Sequence, residues 1–320
     1  MCRLTVYKGR NLLIGDLIVR PENSLMQQSR DAGYHPGVDM TKEVGKRNIR
    51  VNGDGFGVAW YRYDPTQKDS GCEHKEGTPL PVIPTAHCFK FITPAWSNSN
   101  LRSLGNAVMS HLIIGHIRAA SNGYQPAPCS PSTGGTPSAF QCMQHRLEMQ
   151  YRAERDKDIV NEENCHPFKY RHWMFAHNGG IANFSQMKRS LINQLDDEVY
   201  LGLTGTTDSE HMFALFLSLL PPNTKDCPFR DVQVIIDTLE KTIATVNHLV
   251  KAAAQRQHVG ANSAIQINLC SSLNIVVTDG THVVACRYRS GNSGRYVLFE
   301  RRTAFFSFRL YFDQIYTHYI

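Results

Sequence analysis

The sequence reads as an α+β protein with largely antiparallel sheets, and three observations predict this. Short stretches rich in aromatic and β-branched residues stand toward both ends of the chain. Runs with apolar residues at helical spacing lie between them. Near the end, two apolar stretches flank Asp279-Gly280, a dipeptide that favours a tight hairpin and hence antiparallel neighbours.

In chain order, Gly57–Tyr61, Leu112–His116 and Trp173–His177 are expected strands, each short, apolar and close to turn residues. Ser185–Leu195 is expected to be a helix, with Met187, Leu191, Ile192 and Leu195 on one face. Ser209–Leu220 is a second helix, stopped by Pro221-Pro222. The longest runs from about Asp231 to Ala254, with Val234, Ile235, Leu239, Ile243, Val246 and Val250 near helical spacing. Leu273–Thr278 and His282–Tyr288 form the hairpin, and Tyr296–Phe299 adds a strand. Residues 64–87 and 122–163 are rich in Gly, Pro, Ser and charge and lack periodicity. They read as loop insertions within a single domain spanning residues 2–320.

A chain of 320 residues can bury one large core or two modest ones. Its net charge of +6 is mildly basic, but no Lys/Arg run interleaves with aromatics, so a nucleic-acid partner is not expected. No apolar stretch reaches the length of a membrane span, and the N-terminus lacks a signal-peptide core. A cytoplasmic location without membrane association is the expectation. The nine cysteines are scattered without a CxxC pair, which suits reduced thiols rather than disulfides or a zinc site.

The second position carries the first chemical signal. Removal of Met1 would leave Cys2 with a free α-amine, so that nucleophile and base share one residue. The amine titrates near about 7.7–8.0 and the thiol near about 8.5, close enough for proton transfer between them. Four later segments could serve such a group. Asn52-Gly-Asp-Gly-Phe-Gly57 is a tight turn that could let backbone pass close to Cys2. Arg118, in His116-Ile-Arg-Ala-Ala-Ser121, ends a buried strand; it suits either a surface ion pair or bidentate binding of a carboxylate. His177-Asn-Gly-Gly180 is a turn that could also offer the Asn178 amide and the Gly179 N–H to an oxyanion. Thr206-Thr-Asp-Ser-Glu210 opens a helix, so one of Thr207, Asp208 and Ser209 is an N-cap, or Asp208 pairs with an ammonium group. His166, in Asn164-Cys-His-Pro-Phe168, is either structural or lines the pocket.

In this order, the N-terminal Cys and the motifs Gly-Asp-Gly-Phe-Gly, His-x-Arg-Ala-x-Ser, Asn-x-His-Pro-Phe, His-Asn-Gly-Gly and Thr-Asp-Ser-Glu resemble the class II glutamine amidotransferases, a family of N-terminal-nucleophile hydrolases. Arg20-Pro-Glu-Asn-Ser24, Ile92-Thr-Pro-Ala-Trp96 and His177-Asn-Gly-Gly-Ile-Ala-Asn-Phe184 make the match most similar to the amidotransferase-like subunit of the cytosolic glutathione-degradation (DUG) complex. The resemblance implies a four-layer αββα sandwich and hydrolysis of a γ-glutamyl amide, from glutathione or glutamine, without cofactor or metal. Cys2 would be the nucleophile, with Asn178 and Gly179 as the oxyanion hole. Arg118 would take the substrate carboxylate and Asp208 its ammonium, with Ser121 and His166 also lining the substrate site. A metallopeptidase-like subunit is the implied partner. A glutaminase domain feeding ammonia to a synthetase, or a non-catalytic scaffold, are the rival readings. Against this family the tail from about residue 300 is atypical and reads as truncated, because a Ser-Glu-Pro-Leu-Thr-like strand is missing.

Overall fold

The computed structural model describes residues 2–31, 52–63, 84–118, 161–222, 224–225, 231–258, 269–290, 295–301, 306–310 and 315–318. Two antiparallel sheets form its centre. The first contains β1 (Arg3–Leu13), β2 (Phe56–Arg62), β3 (Thr85–Phe91), β4 (Met109–Ile117), β10 (Phe306–Leu310) and β11 (Ile315–His318), in the order β11-β10-β1-β4-β2-β3. The second contains β5 (Phe168–Tyr170), β6 (Trp173–Gly180), β7 (Ser272–Thr278), β8 (Val283–Arg289) and β9 (Arg295–Arg301), in that order. Helices α1 (Ile14–Ile18), α2 (Leu25–Arg30) and α3 (Ser99–Ala107) pack with the first sheet. Helices α4 (Phe184–Ile192), α5 (Asp197–Leu201), α6 (Asp208–Ser218) and α7 (Val232–His258) belong with the second.

Side-chain alternation builds the layers, because successive strand residues face opposite sides of a sheet. Leu4, Val6, Ala59, Tyr61, Leu112 and Ile114 of the first sheet meet Met174, Ala176, Val276, Val283 and Ala285 of the second. The alternate residues Tyr7, Phe56, Val58, Ile113 and Ile117 turn outward onto Ile14, Leu17, Ile18, Leu25 and Leu101. On the far side, Trp173, Phe175, Leu273, Ile275, Val277 and Val284 pack on Met187, Leu191, Phe213, Phe216, Ile235, Leu239 and Ile243. Three cores separate four layers, which gives the expected αββα sandwich.

The expected strands and helices are present with boundaries displaced by a few residues. The loop expected over 64–87 is too long at its end. Residues 85–87 already belong to β3, which pairs with β2 from Arg62 opposite Thr85 to Phe56 opposite Phe91. Residues 64–83 and 122–160 lie outside the described residues. Residues 161–163, also assigned to a loop, make a turn in which Asn161 Oδ1 accepts from Asn164 N at 2.9 Å. Within the tail expected to be atypical, β10 pairs with β1, and β11 with β10.

One end of the sandwich is clamped by the β7–β8 hairpin. Asp279 Oδ1 accepts from the backbone N–H groups of Thr281, at 2.8 Å, and His282, at 2.5 Å. Lys8 Nζ donates to Thr281 O and His111 Nε2 to Gly280 O, both from the opposite sheet. The buried Tyr61 hydroxyl lies 2.6 Å from His172 O and 3.2 Å from Thr278 O, again across the sheets. Tyr61→Phe removes that donor without creating a cavity, and buried carbonyls lose their partner. The expected cost is about 1–3 kcal/mol, read as a lower urea midpoint with an unchanged slope.

Candidate active site

Cys2 precedes β1, and the alternation that turns Leu4 and Val6 inward places Cys2 on the same inter-sheet face. Across the gap, Met174 and Ala176 face inward, so Asn178 does too. The two positions meet: Asn178 Nδ2 donates to the Cys2 carbonyl oxygen at 3.1 Å. An amide carries two N–H bonds, so the second can serve another acceptor. The Asn178 carbonyl accepts from Asn274 Nδ2 at 2.7 Å, a bond between register partners of β6 and β7. Arg3 pairs with Ile117 across β1 and β4, so continuing the register by one residue puts Cys2 opposite Arg118.

Gly179 could not be another residue. Its φ is +158°, and an added Cβ would lie 1.8 Å from Ser272 O. Asp208 opens α6, where Thr207 is the N-cap and its hydroxyl accepts from Glu210 N at 3.2 Å. Asp208 Oδ2 accepts from Ile181 N at 2.7 Å, which ties the carboxylate to the end of the His-Asn-Gly-Gly segment. His177 faces the helices. Its Nε2 is 3.2 Å from Ser272 O, an atom that can only accept, and its Nδ1 is 2.8 Å from Ser209 Oγ. Nε2 therefore carries a proton, and the Ser209 hydroxyl lies between Nδ1 and Asp208 Oδ1, to which it donates at 3.2 Å. Burial lowers the His177 pKa against the opposing pull of Asp208, in keeping with a neutral ring.

Arg118 is buried, and its N–H donates to Gly55 O at 2.9 Å. Burial raises the pKa of the Cys165 thiol, and the nearby charges of Arg118 and Lys90 only partly draw it back. The two glycines beside it make room for the Asn-Cys-His-Pro segment. A Cβ on Gly57 would lie 2.0 Å from His166 O, and one on Gly55 2.8 Å from Cys165 Sγ. The turn expected to admit Cys2 thus accommodates Cys165 and His166. His166 is buried with its ring 4.4 Å from that of His116, and neither imidazole has a hydrogen-bond partner among the described residues. Burial takes His116 down to about 3, and His166 falls well below its ordinary value for the same reason, with neighbouring cations adding to both shifts. Ser121 lies outside the described residues.

Cys2, Asn178, Gly179 and Asp208 therefore form one connected group, and Arg118, Cys165, His166 and His116 a second beside it. Sequence reasoning passed over Asn274, which orients Asn178, and offered Ser209 only as a candidate N-cap, whereas it contacts His177. A polar residue between Leu273 and Ile275 on an otherwise apolar strand was the available signal for Asn274. No group of side chains suited to a metal ion occurs among the described residues, and none of their helices is long and apolar enough to cross a membrane. A cavity of about 200 Å³ between β5 and α5–α6, lined by Lys90, Phe168, Val199, Leu203, Phe213 and Leu217, holds none of the candidate residues.

The four-layer sandwich thus sets a cysteine at the start of an inner strand across from an Asn-Gly pair. Residues 154–251 match the class II glutamine amidotransferases. The chain is 32% identical over 295 residues to the probable glutamine amidotransferase DUG3 of Saccharomyces cerevisiae; the match covers 90% of this chain and 64% of that protein. By sequence the chain is similar to the class II glutamine amidotransferases. It thus spans a little under two thirds of that relative's length. A class II glutamine aminotransferase domain protein from Silicibacter pomeroyi aligns over 99% of both chains, with 20% identity and a TM-score of 0.47.

The buried neutral histidines set an acid limit on stability. His116 titrates at about 3 in the folded chain and near its ordinary 6.5 when unfolded. Between these values the unfolded state binds the extra proton, so stability is full above about pH 6.5 and is lost as pH falls toward 3. Each such group contributes a slope of up to about 1.4 kcal/mol per pH unit. Urea unfolding of His116→Gln at pH 7, 6 and 5 should show a slope smaller by about one proton than the parent chain.

Proposed function

We propose that this chain hydrolyses a γ-glutamyl amide through a thioester on Cys2. The observation that carries the reading is the hydrogen bond from Asn178 to the Cys2 carbonyl, which brings the amide of an Asn-Gly pair to the cysteine. After Met1 is removed, the α-amine of Cys2 takes the thiol proton, and the thiolate attacks the γ-carbonyl carbon. The second N–H of Asn178 and the N–H of Gly179 receive the oxyanion. Collapse of the tetrahedral intermediate breaks the C–N bond, and the ammonium of Cys2 returns its proton to the departing amine. Water then attacks the thioester, releases glutamate and restores the thiol. A γ-glutamyl group carries a carboxylate and an ammonium at one end, and Arg118 with Asp208 supplies the complementary pair. Ser121 and His166 complete the proposed lining of the site.

The motif resemblance supports glutathione as substrate, cytoplasmic action and a metallopeptidase-like partner subunit. The class II amidotransferase match and the name of the yeast relative favour glutamine as the rival substrate. Glutamate release from each, by the chain alone and with a partner, separates the two readings.

Cys2→Ala should abolish glutamate release while leaving the thermal unfolding transition in place; retained turnover would overturn the mechanism. Asn178→Ala should lower kcat by about 10²–10³, the usual loss for one oxyanion donor. A residue left in front of Cys2 should silence the chain, because no free α-amine then adjoins the thiol.

A further inference from the structure

The inner face of the second sheet continues past Asn178. In register, Asn178 pairs with Asn274, and Asn274 with Arg287. The alternation that turns Val283 and Ala285 inward places Arg287 on the same face. Arg287 is half buried; Arg289, the next residue of that row, is exposed and donates from Nε to Cys270 Sγ at 3.1 Å. Arg118 lies at the other side of Cys2, at the end of β4. The inner faces thus run from Arg118, past Cys2 and Asn178, to Asn274 and Arg287.

A substrate whose γ-glutamyl carboxylate is held at Arg118 and whose carbonyl reaches Asn178 must send its leaving group toward Arg287. We propose that Arg287 binds a carboxylate on that leaving group, so that the site selects γ-glutamyl peptides with a free C-terminus over glutamine. This rests on the hydrolase reading above and adds the part of the substrate beyond the scissile bond. The lengths agree. Two strand spacings put the Arg287 backbone roughly 10 Å from that of Asn178. The two residues that follow a γ-glutamyl group extend about 7 Å, which brings their terminal carboxylate within reach of the guanidinium. The ammonia released from glutamine offers nothing for that cation to hold.

The test compares γ-glutamyl-cysteinyl-glycine with its C-terminal amide. Calorimetry on the full-length Cys2→Ala chain should show the acid bound about 10-fold or more tightly than the amide, the usual advantage of a charge-assisted hydrogen bond. Adding Arg287→Gln should bring the ratio to about one, and Arg287→Lys should restore part of it. A loss of structure alone would weaken both ligands and leave the ratio unchanged. Equal binding of acid and amide by Cys2→Ala, or a preference that survives Arg287→Gln, overturns the inference. In that case the hydrolase reading stands if the wild-type chain releases glutamate from either peptide. Absence of glutamate release from both peptides and from glutamine overturns that reading and this inference with it.

Discussion

The hydrogen bond from Asn178 to the Cys2 carbonyl joins the residue before β1 to the end of an interior strand of the opposite sheet, and the first residues of a domain are where order is normally lost. It can hold because β1 is an interior strand, paired with β4 on one side and β10 on the other. A terminal strand at a sheet edge would expose one row of backbone groups and fray. Here Thr5–Lys8 are paired on both sides and Arg3 and Leu4 with β4, and the side-chain period then decides which face Cys2 occupies. The late strand β10 therefore bears on a residue at the other end of the sequence.

The opposite end of the sandwich shows why the two faces stay in register. Tyr61, Lys8 and His111 reach from the first sheet to carbonyls at or near the β7–β8 hairpin. Those bonds and the inner core of Leu4, Leu112, Ile114, Met174 and Val276 define the spacing between the sheets. At the Cys2 end the apolar inner row gives way to polar residues: His116, Asn178, Asn274 and Arg287. Such groups are costly to bury without partners, and the imidazoles meet that cost by remaining neutral. Formal charge in this region is thus confined to groups such as Arg118, Asp208 and Arg287, while His116, His166 and His177 add bulk and hydrogen-bonding capacity without it.

The legible parts of the fold were those whose local pattern and tertiary environment agree. Strands β2, β4, β6, β7 and β8 are apolar over most of their length because they are interior strands with both faces covered. Strand β1 is interior too, yet Arg3, Lys8 and Arg10 interrupt it and it runs straight into α1 without a turn residue. Only pairing with β4 and β10 reveals it. Strand β3 was hidden behind a Gly/Pro-rich stretch, and as an edge strand it keeps Lys90 and half-exposed aromatics. The short helices α1, α2 and α5 are too brief for periodicity to register.

The candidate site followed the same rule, with a different boundary. Cys2, Asn178, Gly179, Arg118 and Asp208 stand in short motifs where unusual residues adjoin, so their types were visible before any geometry. The roles of Gly55 and Gly57 were not, because the atoms that crowd them belong to Cys165 and His166, more than a hundred residues away. Asn274 and Arg287 carry no motif at all. Each is one polar residue on a strand, and its proximity to Cys2 exists only through a register that runs from β6 to β8. Residues beside the scissile bond must all be close to one point, which favours dense local motifs. Residues that meet the rest of a substrate need only share a face, and sharing a face across strands leaves no mark at any fixed spacing in a sequence.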